Sequence, residues 1–126
     1  MPVRTPEEMH PAFQAAFNAQ DLDGLLALYE EGAVLTPEPG AVVTGHAGIR
    51  EALGGFLSLN LPIRMTTKTI IPAGDLVMLH GAWSITGSGP DGSPIDLSAR
   101  SSEVVRRQAD GTWLYIIDNP YSVDAS

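Results

Sequence analysis

The 126-residue chain contains no cysteine. Disulfides, thiolate metal sites and cysteine nucleophiles are thereby excluded. Basic residues are scarce, 7 against 15 acidic ones, for a formal net charge of −8. Such a charge repels nucleic acid and anionic lipid, and the single basic pair, Arg106-Arg107, does not offset it locally. No apolar run approaches the ~20 residues that span a bilayer. The N-terminus carries one Arg, then Pro and Glu, with no apolar run behind it, so no secretory leader is expected. The expectation is a cytoplasmic protein with neither nucleic acid nor membrane as partner. No Gly-rich nucleotide loop is present. The three histidines, His10, His46 and His80, lack metal-ligand spacing. Neither metal nor cofactor is expected, and no serine sits in a nucleophile elbow.

What is present fits one domain over residues 1–126, long enough to bury roughly two-thirds of its unfolded surface. Thr5-Pro6-Glu7-Glu8 reads as a capped helix start, followed by a helical stripe through Met9, Phe13, Ala16, Phe17 and Gln20. Pro11 is expected to kink the first turn. Asp21 is placed to cap a short second helix, Leu22 to Tyr29. A short strand over Ala33 to Thr36 and a Pro-rich loop precede Val42-Val43. Gly45-His46-Ala47-Gly48 then opens a third helix with Ile49, Leu53, Phe56 and Leu57 on one face. From there the period changes to two. Strands are predicted over Ile63 to Ile71, Leu76 to Thr86, Ile95 to Arg107 and Thr112 to Asn119. Turn signals separate them, with a mobile hairpin tip at Gly87 to Pro94. The tail after Tyr121 is expected to fray. Helices first and an antiparallel meander after them indicate an α+β fold. Three helices can cover the concave face of such a strongly twisted sheet while leaving a pocket at its wide end.

The stretch Phe17-Asn18-Ala19-Gln20-Asp21-Leu22-Asp23-Gly24-Leu25-Leu26-Ala27-Leu28-Tyr29 resembles the opening helices of the nuclear-transport-factor-2-like superfamily. Residues 43–53 resemble its third-helix motif. Arg100 to Arg107, Asp110-Gly111-Thr112-Trp113 and Ile117-Asp118-Asn119-Pro120 resemble the closing hairpin of the SnoaL-like (SgcJ/EcaC-type, ketosteroid-isomerase-related) branch. The resemblance covers nearly the whole chain and implies a cone-shaped, mostly antiparallel sheet of the cystatin-like, ketosteroid-isomerase-like roll. It also implies a pocket inside the cone and a homodimer through the outer sheet face. Alternation agrees with two partly apolar faces: Ile63, Met65, Thr67 and Thr69 share one side of a strand, and Leu76, Met78 and His80 one side of another.

Asp118 is the first site candidate. It ends an apolar strand, where an unpaired charge is costly, so it is either tied down by partners or kept for chemistry. As a general base its pKa would be raised by an apolar pocket, as with the Asp base of ketosteroid isomerase. The structural alternative is a carboxylate that caps backbone N–H groups or pairs with Arg100. Glu103 either shares a proton with Asp118 across the hairpin or pairs with an Arg on a neighbouring strand. A regular strand puts Arg100 and Glu103 on opposite faces. Trp83 offers a stacking surface or a core anchor, and Tyr29 a phenolic donor or packing. His80 is a proton acceptor or a satisfied core histidine, and Asn119 adjoins Asp118 as a further donor. These residues suggest two functions, beside a third reading in which the chain is only a structural dimerisation module. One is a cofactor-free isomerase, cyclase or dehydratase acting on a small apolar carbonyl compound. The other is non-catalytic binding of a hydrophobic metabolite.

Overall fold

The computed structural model describes residues 2–121. The expected fraying after Tyr121 concerns residues outside that range. The first helical segment is split. A 3-10 turn, Pro6–Glu8, leads into α1, Met9–Asn18. The Glu8 carboxylate accepts the Thr5 backbone N–H at 3.0 Å, which closes the capping box read from the sequence. Because α1 proper starts at Met9, Pro11 falls in its first turn, where backbone N–H groups have no intrahelical partner. Asp21 caps α2, its Oδ1 accepting the Gly24 N–H at 2.9 Å.

The second helix is shorter than the periodicity predicts. α2 is Leu22–Leu26, and Tyr29 opens β1, Tyr29–Leu35. The reason is tertiary: the Tyr115 N–H donates to the Leu28 carbonyl at 2.8 Å, pulling this segment onto the sheet. The pair Val43–Thr44 is β2, and α3 spans Gly45–Leu57. His46, at the start of α3, donates from Nε2 to the Tyr29 carbonyl at 2.9 Å and fastens the helix to β1.

Four long strands follow: β3 Ile63–Ala73, β4 Leu76–Ser88, β5 Pro94–Arg107 and β6 Trp113–Asn119. The hairpin tip between β4 and β5 is therefore shorter than its Gly and Pro content suggests. The six strands form one sheet in the order β2-β1-β6-β5-β4-β3. All neighbours are antiparallel except β1 and β6, which run parallel. The three helices pack on one face over a core that includes Phe17, Leu25, Ile49, Leu79 and Tyr115. Among the described residues no helix is long and apolar enough to cross a membrane.

Two irregularities decide which residues face that core. In β3 the register shifts between Thr67 and Thr69, so Thr67 pairs with Gly81 while Thr69 pairs with His80. The shift places Ile70 against the core, and Thr69 no longer shares a side with Met65 and Thr67. In β6 the register shifts so that Val105 pairs with Tyr115 and Val104 with Ile117. Ile116 is the additional residue, and Tyr115 and Asp118 are both buried although three positions apart. A β-bulge re-aims side chains in this way.

Candidate functional site

The β6 bulge turns Asp118 inward. Its position in the ladder is opposite Glu103 on β5 and Leu35 on β1, while Glu103 is also opposite Leu79 on β4. Two carboxylates thus lie side by side on the inner face, flanked by leucines. Both are buried, Glu103 at 2% and Asp118 at 6% exposure. Each has a specific partner. The Tyr29 hydroxyl donates to Asp118 Oδ2 at 2.5 Å. His10 Nε2 lies 2.8 Å from Glu103 Oε1, and His10 Nδ1 lies 2.7 Å from the Thr67 hydroxyl. Because an ionised carboxylate only accepts, the Nε2–H is the donor in the histidine–glutamate pair. His10 reaches the sheet from α1 because Gly81 leaves room. A Cβ at Gly81 would sit 2.7 Å from His10 Cε1.

Burial pushes the Asp118 carboxyl up to about 7, and the negative charge of Glu103 opposite adds to the effect. The Tyr29 hydrogen bond and the positive charge of His10 pull it back. A carboxyl near 7 holds its proton in part at neutral pH and is basic enough to take one. The phenols of Tyr29 and Tyr115 are pushed well above their ordinary range by burial first and by the neighbouring negative charges after it. They stay neutral donors.

Beside this pair lies a cavity of about 40 Å³, walled by aromatic and aliphatic side chains such as Phe13, Phe56 and Trp83. Its polar lining comes from Ser101, Glu103, Tyr115 and Asp118. The volume exceeds the ~10–15 Å³ that one water requires and excludes a fused-ring molecule. The Ser101 hydroxyl is buried and has no hydrogen-bond partner among the described residues. Leaving a buried hydroxyl unpaired costs about 1–3 kcal/mol, so such a group calls for a reason.

The residues singled out from sequence separate into two sets. Asp118, Glu103, Tyr29 and Trp83 are brought to the inner face. Tyr29 directs its hydroxyl at Asp118, and Trp83 donates its indole N–H to the Pro120 carbonyl at 2.8 Å, so neither donor points at a ligand. Trp83 contributes its ring to the cavity wall, edge-on to Phe56 at 6.3 Å between centroids. Glu103 pairs with a helix histidine rather than with an Arg of a neighbouring strand. The other set lies elsewhere. Arg100 and His80 lie at outer-face positions of β5 and β4, alternating with the buried Ser101, Glu103 and Leu79. Arg100 lines an open groove there with Arg64 and Ser98. The Asn119 Oδ1 accepts from the Thr36 hydroxyl at 2.6 Å and from the Tyr121 N–H at 3.2 Å, away from the cavity. Asp118 pairs with Tyr29, not with Arg100.

Sequence reasoning missed His10 and Ser101. Helical period alone puts His10 beside Met9 and Phe13 on the core side of α1, a signal that was available. Nothing local marks Ser101, whose importance comes from the two strands around it. Among the described residues no cluster of three or more His, Asp or Glu side chains is placed to hold a metal ion.

Solved structures share this arrangement of elements at low sequence identity. A ketosteroid isomerase-like protein from Erwinia carotovora atroseptica superposes with a TM-score of 0.77 at 18% identity, over 91% of this chain and 95% of that one. An NTF2-like protein with a cystatin-like fold from Novosphingobium aromaticivorans gives 0.78 at 14% identity, over 95% and 80%. A provisionally named dehydratase of the NTF2-like family from Streptomyces avermitilis gives 0.76 at 17% identity, over 93% of each chain. At these identities the likeness establishes the fold and not the reaction. The sequence itself matches the family model of the SnoaL-like domain over residues 11–116. With that match running along most of its length, the chain belongs to the SnoaL-like domain family.

Proposed function

We propose that the protein is a cofactor-free enzyme of the isomerase, cyclase or dehydratase kind, with Asp118 as general base on a compact carbonyl compound. One observation carries this reading: Asp118 lines an apolar cavity with its carboxyl pushed up to about 7. In the proposed step the Asp118 carboxylate takes a proton from the carbon next to the carbonyl. The C–H electron pair becomes the C=C bond of an enolate, and the carbonyl oxygen takes the negative charge. Return of the proton to the same or a neighbouring carbon restores the carboxylate, with no net oxidation or reduction. Tyr29 would position Asp118, and Glu103 would keep its basicity high through like charge.

The test needs no knowledge of the natural substrate. Exchange of the α-protons of cyclopentanone in D₂O, followed by proton NMR, should be faster with the protein than in buffer. Asp118→Asn should abolish the acceleration while remaining folded. Absence of acceleration in the wild type, or full activity in Asp118→Asn, refutes the base role. The predominantly apolar cavity wall favours a second reading, non-catalytic binding of a small hydrophobic metabolite. Cyclopentanone binding without exchange is the result that selects it.

The reading includes a homodimer through the outer sheet face. Ile71, Met78, Val104 and Ile117 are consecutive partners across β3, β4, β5 and β6 and make an apolar row on that face. Three of them are large and exposed: Ile71 at 46%, Met78 at 41% and Ile117 at 43%. Burial of such a row against a second copy supports association.

A further inference from the structure

We propose that the Ser101 hydroxyl is the contact that recognises the ligand's oxygen, and that the ligand is a compact ketone or enone of about one small ring. This rests on the carbonyl reading of the same cavity and adds the residue that sets which end of the molecule enters first. Ser101 lies on β5 two residues from Glu103, on the same inner face, and its ladder partner is Gly81. Asp118 is directly opposite Glu103, which makes Ser101 its diagonal neighbour across the hairpin. Such neighbours are roughly 7–8 Å apart at the backbone, so side chains from both can reach one small molecule. Ser101 is 2% exposed, lines the cavity and has no hydrogen-bond partner among the described residues.

Of the other polar groups in or near the cavity, most are engaged or unsuited to donate to a carbonyl, and the neutral Tyr115 phenol, which also lines it, is a second donor beside Ser101. Tyr29 is committed to Asp118, Trp83 to Pro120 and His10 to Glu103 and Thr67. Asp118, when it acts as base, is an acceptor only. Ser101 therefore supplies an O–H donor on the wall that also holds the base. A ketone whose oxygen accepts from Ser101 can place its α-carbon toward Asp118, and the hydrogen bond strengthens as the oxygen gains charge. A ligand without that oxygen gains nothing from the hydroxyl. The cavity of about 40 Å³ limits the remainder of the molecule to a small apolar body.

The experiment compares wild-type protein and Ser101→Ala by amide NMR titration with two probes of one shape. They are cyclopentanone and methylenecyclopentane, in which a CH₂ replaces the oxygen. The expected result is a loss of cyclopentanone affinity of roughly threefold to tenfold in Ser101→Ala. Methylenecyclopentane should bind both proteins equally, which also shows that the variant is folded. The α-proton exchange catalysed by the protein should fall by more than the affinity does. Equal cyclopentanone affinity in the two proteins overturns the Ser101 assignment and leaves the base reading standing. A selective loss of cyclopentanone affinity, with no exchange in the wild type, supports Ser101 and removes the base. If cyclopentanone moves no cavity resonance in the wild type, both fall.

Discussion

An aspartate carboxyl raised to about 7 by burial carries a consequence for stability that is independent of catalysis. In the unfolded chain the same group titrates near its ordinary value of 3.8. The folded state therefore holds the proton more tightly, and between those two values it binds more protons than the unfolded state does. Stability from this group is fully present below the unfolded value and is lost as pH rises through about 7. The effect is on the order of a few kcal/mol. Asp118→Asn cannot ionise, so its melting temperature should exceed that of the wild type by a margin that grows from pH 5 to pH 8. Melting curves at the two values check this, and a pH-independent difference would contradict it. Tyr29→Phe tests the partner. The phenol stabilises the charged carboxylate, so its removal should move the Asp118 titration upward, read from the carboxyl carbon resonance. An unchanged or lowered midpoint would show that the hydrogen bond does not set the basicity of the site.

At the level of elements, the site exists because α1 touches the sheet at a gap. Gly81 is that gap. A methyl group there would meet His10 Cε1 at 2.7 Å and the Thr66 carbonyl oxygen at 2.9 Å. Gly81→Ala should destabilise by about 1–3 kcal/mol in urea denaturation. The loss should be smaller in a His10→Ala background, where one of the two obstacles is gone; an equal loss in both would assign the whole effect to the β3 backbone. How much of this was legible beforehand follows the range of the interactions. The long strands were readable, because alternation and Asp-Gly or Gly-Asp turns are local signals. Asp118 was readable, since a carboxylate ending Tyr115-Ile116-Ile117 contradicts its own neighbourhood. The end of α2 was not, because Tyr29 continues the helical stripe and only its pairing with Tyr115 turns it into strand. The bulge at Ile116 was equally hidden: a regular strand would not bury both Tyr115 and Asp118. His10 and Ser101 gain their meaning from Glu103 and Gly81, residues far away in the chain or on another strand.

On the scale of the whole molecule, two opposing forces act on the outer face of the sheet. The apolar row Ile71, Met78, Val104 and Ile117 favours burial against a second copy. The formal net charge of −8 per chain opposes bringing two copies together. Charges of one sign spread over a surface act over about a Debye length, about 10 Å at 0.1 M salt, so added salt weakens their repulsion while leaving apolar burial nearly untouched. The proposed homodimer should therefore sediment at twice the 13.3 kDa chain mass at micromolar concentration, and should tighten as salt is raised from 20 to 300 mM. Met78→Asp places a charge at the centre of the row and should shift the protein to monomer without altering its melting profile at low concentration. A wild-type monomer at 50 µM, or dissociation on adding salt, would defeat the dimer. The cavity lies on the opposite side of the sheet from Met78, between the inner strands and the helices. Loss of the dimer in Met78→Asp should accordingly leave cyclopentanone binding intact, and that separation distinguishes a face used for association from one used for chemistry.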